Sequence, residues 1–389
     1  MKTIEIIFWI LFGIIFYTYL GYGMVLSILV SIKRIFKRQP LSTADEQEYL
    51  PEVTLLIAAY NEKDYVQQKV KNTRNLNYPN LKQVWVTDGS NDGTPNLLKQ
   101  YKDVTVLHRD ERNGKIAAIN RGMKLVESPI VVFSDANTLL SEDAILRIVK
   151  LFKDPEIGCV SGEKRIISNL TDDAAAAGEG LYWKYESTLK KWDAELNTAV
   201  GAAGELFAVR KHLFREVEKD TLLDDFIISL RIAMQGYKIG YDPEAYAIET
   251  ASANVKEELK RKIRISAGGI QSIIRLLPLL NVFKYKLLAF QYISHRVLRW
   301  TLAPLCLIGT FILNGLLASQ YPVYEWLFVL QCSFYALAFT GWILEKNKLR
   351  FKILFIPYYF LIMNYAVFRG FIRFFKNNQS VNWERAARA

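Results

Sequence analysis

The stretch Val84-Trp-Val-Thr-Asp-Gly-Ser-Asn-Asp-Gly-Thr94 constrains this chain more than any other. An apolar, β-type run stops at Asp88 and breaks into a polar turn containing glycine. Ile130-Val-Val-Phe-Ser-Asp-Ala-Asn-Thr138 has the same grammar, a buried strand with Asp135 at its end, and Val53-Thr-Leu-Leu-Ile-Ala-Ala-Tyr-Asn-Glu62 closes in the same way. Open α/β sheets bind ligands at the carboxyl ends of their strands. Two strands that bring Asp88 and Asp135 to that edge therefore predict a metal-nucleotide site. The residues after Asp88 also suit an ordinary surface turn. An EF-hand is excluded, because its loop needs a carboxylate at the twelfth position and Lys99 stands there. Asn113-Gly-Lys-Ile116 lacks the leading glycine and the Ser/Thr of a P-loop, and no dinucleotide fingerprint precedes a helix.

The block from 50 to 250 alternates strand-like runs (53–59, 83–87, 104–108, 130–134, 158–161) with helical stretches (65–76, 115–126, 142–152). Such alternation predicts an α/β domain with a parallel sheet and crossover helices. Asn77-Tyr-Pro79 closes the first helix, since the residue before proline is pushed out of the helical region. A helix rich in Tyr, Trp and Glu is expected over 174–196. The loop Gly201-Ala-Ala-Gly204, a strand over 206–209 and a helix carrying Asp224 and Asp225 are expected after it.

Hydrophobic residues make up 51% of the 389, and they are concentrated at the two ends. Ile6 to Ile32 carries no charge and would span about 40 Å as a helix. It is too long for a signal-peptide core and lacks a small-residue cleavage site, so residues 4–32 are expected to be a transmembrane helix. Lys33, Arg34, Lys37 and Arg38 follow it and place the next domain in the cytoplasm, at the cell inner membrane. Residues 253–299 hold two basic amphipathic stretches expected to lie in the membrane interface. Residues 300–375 hold two to three further spans, and 376–389 form a basic tail. The last apolar run, 353–368, is short for a span. Full crossing, with the tail outside, is slightly favoured over a re-entrant segment that would return the tail to the cytoplasm.

The net charge of +11 fits attraction to anionic membrane lipids. Nucleic-acid binding is not expected, because the basic residues concentrate near apolar segments and no nucleic-acid module is present. Cys159, Cys306 and Cys332 and the three histidines show no metal-ligand spacing.

These motifs, in order from Ala58 to Arg264, resemble the membrane-embedded family 2 glycosyltransferases, the group that includes cellulose, hyaluronan and poly-N-acetylglucosamine synthases. The resemblance implies a nucleotide-diphospho-sugar transferase fold of the glycosyltransferase-A type, with transmembrane helices at both ends. It implies that Ala59, Tyr60, Glu62 and Asp88 line the nucleotide pocket, with Asp88 accepting from the uracil. Lys115 and Asn120 match the segment closing over ribose and phosphates, and Ser134-Asp-Ala-Asn137 matches the metal motif, giving Asp135 and Asn137 as ligands of Mg²⁺ or Mn²⁺. Asp224-Asp225 stands where the family carries its general base, which makes Asp225 the candidate base. Arg261-Lys-Ile-Arg264 falls on the Gln-x-x-Arg-Trp motif, with Arg264 toward the donor. Gly204, Glu205, Tyr182, Trp183 and Arg261 are the candidates for acceptor contact.

The chemistry calls for these groups independently. A divalent cation or a Lys/Arg neutralises a departing diphosphate, and a positioned carboxylate takes the proton of the attacking hydroxyl. The expected reaction is inverting. A sugar would pass from a UDP-sugar, UDP-GlcNAc or UDP-Glc, to a polysaccharide or lipid-linked acceptor, giving a β-linkage. Two departures bear on it. The second acid of the metal motif is Asn137, and Ile265 replaces the tryptophan that holds a growing polymer's end. Non-processive transfer to a lipid-linked acceptor therefore stays open, as does assembly of several copies, since three or four spans make a narrow conduit. A non-catalytic sugar-nucleotide-binding subunit has no need of Asp225, and a transporter would show paired intramembrane charges.

Overall fold

The computed structural model describes residues 2–36, 49–167, 173–250, 255–346 and 352–376. In chain order the elements are α1 (Lys2–Phe16), α2 (Tyr22–Phe36), β1 (Val53–Ala59), α3 (Lys63–Arg74), β2 (Leu81–Asp88), α4 (Thr94–Leu98), β3 (Thr105–Arg109), α5 (Lys115–Met123), β4 (Ile130–Asp135), β5 (Leu139–Leu140), α6 (Ala144–Leu151) and β6 (Ile157–Ile167). They continue with α7 (Asp173–Leu196), β7 (Leu206–Arg210), α8 (Asp224–Met234), β8 (Lys238–Thr250), α9 (Val255–Arg275), α10 (Val282–Tyr292), α11 (Leu298–Trp300), α12 (Leu302–Ala318), α13 (Pro322–Lys346) and α14 (Lys352–Phe375).

β1 is buried on both faces, which explains its unbroken apolar run. Val53, Leu55, Ile57 and Ala59 join one core with Val66 and Val70 of α3 and Ile145, Ile148 and Val149 of α6. Leu56 and Ala58 point the other way, toward Ile116 and Ile119 of α5 and Phe226 and Ile227 of α8. The two sets alternate with the period of a pleated strand.

Among the described residues, eight strands form one sheet in the order β3-β2-β1-β4-β7-β6-β8-β5. The expected parallel sheet is found on one side: β1 pairs in parallel with β2 and β4, and β2 with β3. The other side corrects the expectation. β7 runs antiparallel to both β4 and β6, and β8, unrecognised in the sequence, spans thirteen residues. The reversal has a consequence for the site. Leu206 pairs with Ser134, so the loop that enters β7, with Gly204 and Glu205, meets the same edge as Asp135. A parallel strand would have sent that loop to the far edge.

Among the described residues, three helical segments, Lys2–Phe36, Pro322–Glu345 and Leu354–Phe375, are long and apolar enough to cross a membrane. α12 joins them only when taken together with Val282–Trp300 across a 53° bend. α1 and α2 are continuous through a π-helical turn at Tyr17–Gly21. Phe8 of α1 packs on Tyr324 near the start of α13, and Arg34 at the end of α2 pairs with Glu195 of α7. A buried polar knot fixes this junction. His295 Nδ1 lies 2.6 Å from Asp193 Oδ2 and its Nε2 3.2 Å from Glu186 Oε1. Arg296 and Arg299 pair with the two Glu186 oxygens, and Tyr22 donates to Asp193.

α14 is the most enclosed of these three candidate spans. Of its most apolar stretch, 44% is buried inside the protein, against 11% for α13. Its second half lies along α9, where a Cβ on Gly370 would come within 2.7 Å of Ser266 Cβ and 2.9 Å of the Ala267 nitrogen. That end of the helix therefore sits beside the α/β domain. Most of the basic tail, 377–389, lies outside the described residues.

Candidate functional site

Register puts the strand ends level: Ala58 pairs with Val86 and with Asp135, and Thr87, next to Asp88, pairs with Ala59. Lys115, the first residue of α5, extends across this edge. Its Nζ lies 2.8 Å from Asp135 Oδ1 and 3.8 Å from Asp224 Oδ2. Burial opposes its charge, but Asp135 and Asp224 outweigh that and raise Lys115 above the usual ammonium value. Asp224 is buried at the amino end of α8, and its Oδ2 has no hydrogen-bond partner. Lys115, Asp135, Asp224 and Gly204 line one cavity floored by Leu56, Phe133 and Phe207.

Asp225 adjoins this group on the side of Gly204, where a Cβ would lie 3.3 Å from Asp225 Oδ2. Burial and the charge of Asp224 push its carboxyl up to about 7; Lys115 pulls it down and Glu205 adds to the rise. Glu205 behaves oppositely. Burial disfavours its ionisation, but Lys164 (Nζ to Oε1, 2.7 Å) and Arg261 (3.5 Å) hold it below the ordinary carboxylate range. Two acids in one cleft are thus driven apart, the pattern that separates acid-base roles. The Gly201 turn supports α8: at φ +90° its absent Cβ would fall 2.3 Å from the Phe226 ring.

α9 delivers cations to this cleft. Arg261 faces Glu205 and Glu258, while Lys262 pairs with Glu258 and sits 5.2 Å over the Trp183 ring. Burial pushes Arg264 below the usual guanidinium value; Asp224 and Asp135 pull it back, while Arg261 and Arg373 add to the drop.

On the nucleotide side, Asp88 is buried. Its Oδ2 accepts from the backbone N–H of Asn113 (2.7 Å) and Gly114 (2.6 Å), and its Oδ1 lies 3.4 Å from Arg121. Gly114 reaches that geometry at φ +92°. The ring of Tyr60 lies 3.7 Å beneath the Arg112 guanidinium.

The sequence model described as Glycosyl transferase family 2 matches residues 54–218. That stretch is a family 2 glycosyltransferase domain. Among proteins of known activity, the chain is 27% identical over 279 residues to poly-β-1,6-N-acetyl-D-glucosamine synthase of Staphylococcus aureus, covering 69% of this chain and 64% of that protein. It is 24% identical over 291 residues to the synthase of the same name from Staphylococcus epidermidis, covering 72% and 69%. The chain thus matches less than two thirds of the length of the first relative. In fold it is similar to the mannosyltransferase PcManGT from Pyrobaculum calidifontis, solved in complex with GDP-Man and Mn²⁺. The TM-score is 0.72 at 22% identity, over 97% of this chain and 100% of that one. This establishes the glycosyltransferase-A type fold.

Of the expected site residues, the structure gathers Lys115, Asp135, Asp224, Asp225, Gly204, Glu205, Arg261 and Arg264 at one sheet edge. Ala59 and Glu62 are buried beside it, and Glu62 is bound through its backbone N–H to Thr94 Oγ1. Asn137 is half-buried two residues beyond Asp135. The Asn120 amide donates to Val217 O (3.0 Å) and ties α5 to the segment before α8. Asp88 holds the turn before Lys115 through its Oδ2. Trp183 is half-buried beneath Lys262, and the side chain of Tyr182 lies outside the described residues.

Two groups went unread in the sequence. Lys164 is buried between Glu205 and Glu249, on a strand whose C-terminal half shows no alternation. Lys69 is fully buried, donating to Ser134 Oγ (2.8 Å), Thr138 O (2.8 Å) and Thr138 Oγ1 (3.3 Å). It thereby clamps the turn that carries Asp135 and Asn137. Burial lowers it to about 7 against the pull of Asp135. The signal was present: Lys69 shares the apolar face of α3 with Val66, Val70 and Thr73, where a solvated lysine has no place.

Proposed function

We propose that this protein is an inverting glycosyltransferase that moves a sugar from a nucleotide-diphospho-sugar, UDP-GlcNAc or UDP-Glc, to a hydroxyl of a polysaccharide or lipid-linked acceptor. The observation that carries the reading is Asp225, a carboxyl poised near 7 beside a Lys115–Asp135–Asp224 cluster at the carboxyl edge of the sheet. The poly-N-acetylglucosamine synthases supply the sugar class, and their names specify a β-linked product. PcManGT, bound to a nucleotide sugar and Mn²⁺, lends support to donor and metal alike.

The residues present fit a divalent cation of Mg²⁺ or Mn²⁺ type. Asp135 and Asn137 offer oxygens, and Asp224 Oδ2 is a buried oxygen without a hydrogen-bond partner. The described residues hold no cluster of three or more acidic, His or Cys side chains around a metal position, so donor phosphates would complete the coordination. Bound there, the cation would neutralise the departing diphosphate. Lys115 and Arg264 bring positive charge to the same edge. Asp225 accepts the acceptor's proton, Gly204 leaves it open to that hydroxyl, and Glu205, held ionised by Lys164 and Arg261, orients acceptor hydroxyls as a hydrogen-bond acceptor.

The test is incubation of the protein in lipid bilayers with a panel of radiolabelled nucleotide sugars. Consumption of a UDP-hexose or UDP-N-acetylhexosamine with sugar transfer is expected, and a protein that binds but never turns over any donor would refute the reading.

We place the domain on the cytoplasmic face of the membrane. Lys33 and Arg34 at the end of α2 support this, and the burial of α14 against α9 supports a re-entrant last segment. A cysteine at the exposed Lys376, in a variant without native cysteines, is expected to resist a membrane-impermeant maleimide in sealed right-side-out vesicles and to react once they are opened. Labelling before opening would mean that α14 crosses.

A further inference from the structure

The candidate base, Asp225, is carried by a segment that the sheet does not hold. Residues 220–223 form neither helix nor strand, and α8 begins directly after them at Asp224. Leu223 stands at the N-cap of α8 and makes no side-chain cap, so the usual device that sets a helix entry is missing. The Thr221 N–H makes a local bond to Glu218 O (3.0 Å). The other supports come from α9. Gln271 accepts from the Leu222 N–H through Oε1 at 3.0 Å and donates through Nε2 to the Asp220 carbonyl at 2.9 Å. One side-chain amide thus serves an N–H and a C=O two residues apart, as a residue of a neighbouring parallel strand would. One turn on, Arg275 donates to Thr221 Oγ1 and to Asp220 Oδ2, each at 2.6 Å.

Two adjacent glycines bring α9 this close. Glycine is disfavoured inside a helix, and here both have a steric reason. A Cβ on Gly268 would lie 2.7 Å from Leu223 Cγ and 3.0 Å from Leu222 Cβ, and one on Gly269 would lie 2.6 Å from the Trp300 ring. Trp300 in turn meets Phe226 edge-on, with ring centroids 5.4 Å apart. α9 therefore grips the chain before the acid pair directly and the residue after it through Trp300. Asp88 and Asp135 stand instead at strand ends of the sheet, so the two halves of the site have separate supports. A base takes a proton only within hydrogen-bond reach, so a small shift of the 220–226 segment would carry Asp225 away from its hydroxyl.

We infer that Gln271 and Arg275 are positioning residues for Asp225, fixing the base against the acceptor from α9 while the donor groups are set by the sheet. The inference rests on the glycosyltransferase reading above and deepens it, since it identifies what aligns the acceptor half of that site. It gives Arg275, part of a basic stretch expected in the membrane interface, a role inside the enzyme. α9 also lies against α14, a candidate span, through Gly370. The base is thus aligned by the layer that joins the α/β domain to the apolar helices.

The experiment uses the full chain in phosphatidylcholine nanodiscs and compares the wild type with Gln271→Leu, Arg275→Gln and Arg275→Lys. Transfer is followed with the radiolabelled nucleotide sugar that the wild type consumes, UDP affinity by calorimetry, and backbone hydrogen exchange by mass spectrometry. In Gln271→Leu, kcat is expected to fall about tenfold to a hundredfold, the range for a reacting group displaced by about an ångström. Donor KM and UDP affinity should stay within about twofold, because the donor groups keep their places. Arg275→Gln should lose less, and Arg275→Lys should recover part of that loss by keeping a charged contact with Asp220. Exchange should quicken over 219–226 and stay unchanged over 53–59 and 130–135. Asp220 is exposed and Leu222 half-buried, so water can take over the freed backbone groups and the fold should survive. A kcat for Gln271→Leu within twofold of wild type would overturn the inference. So would a parallel loss of UDP affinity, or faster exchange throughout the domain, since either would mean a general structural role. Should Gln271→Leu fail to fold, Arg275→Gln decides by the same measures. If the wild type consumes no donor, the transferase reading fails, and the exchange data still judge the clamp on their own: unchanged exchange over 219–226 refutes it.

Discussion

Replacing Asp225 with Asn is expected to lower sugar transfer by about 10²–10⁴-fold, the usual contribution of a positioned base, while leaving UDP affinity within a factor of two. The carboxyl stands against Gly204, on the acceptor side, and is absent from the Lys115 ion pairs. Its removal therefore takes away proton acceptance without disturbing the donor's cations. Its pKa of about 7 fixes the sign of the pH dependence. The base form is the ionised one, so transfer should rise as pH increases through about 7 and level off above it. The neighbouring acids are poor substitutes. Glu205 is held ionised by Lys164 and Arg261 and is a weak base, and Asp224 faces Lys115. A pH-rate profile of the wild type and a single-turnover assay of Asp225→Asn give the answer. Turnover within threefold of wild type would move the role elsewhere.

The parts legible in the sequence were those where one strand carries one message. Val53–Ala59, Ile130–Asp135 and Leu81–Asp88 are buried runs that end in acid or turn residues, and each is a parallel strand ending at the site edge. Asp135, Asp224, Asp225, Lys115 and Arg264 were readable because they sit at strand ends, helix starts or in an ordered motif. What was not legible depends on chain reversal and burial of charge. β8 carries Tyr, Asp, Pro and Glu among its thirteen residues and lacks a clean period. The antiparallel direction of β7 is set by the long α7 excursion before it, which leaves no local mark. The charge of the basic stretch in 255–275 left unsaid which cations face the cleft; Ala267, Ile270 and Ile273 set its buried face, and Arg261 and Lys262 meet Glu205 and Glu258. His295 looked incidental and proves to be the centre of a buried knot joining α7 to the helix preceding α12.

Asp135→Ala is expected to abolish Mn²⁺-stimulated UDP binding, and Lys115→Met to change the metal response in the opposite direction. Before a donor arrives, the Lys115 ammonium occupies Asp135 Oδ1 at 2.8 Å and faces Asp224 Oδ2 at 3.8 Å. It is held charged by those same acids. A divalent cation approaching Asp135 must therefore compete with a lysine already in place, and Asn137 contributes no charge to help it. The wild type should consequently bind Mn²⁺ weakly alone and more tightly with UDP, whose phosphates give Lys115 another anion to meet. Removing the ammonium should tighten nucleotide-free Mn²⁺ binding by about tenfold, roughly the effect of one charge-assisted hydrogen bond lost by the competitor. It should also weaken UDP binding, since a phosphate-facing cation is gone. Free Mn²⁺ measured by electron paramagnetic resonance, with and without UDP, reads all three proteins directly. Asp135→Ala should show no UDP-dependent rise in bound Mn²⁺. If wild type and Asp135→Ala gave the same Mn²⁺ curve in the presence of UDP, Asp135 would not be a metal ligand. If Lys115→Met bound nucleotide-free Mn²⁺ no better than wild type, the lysine would not be the ion's competitor.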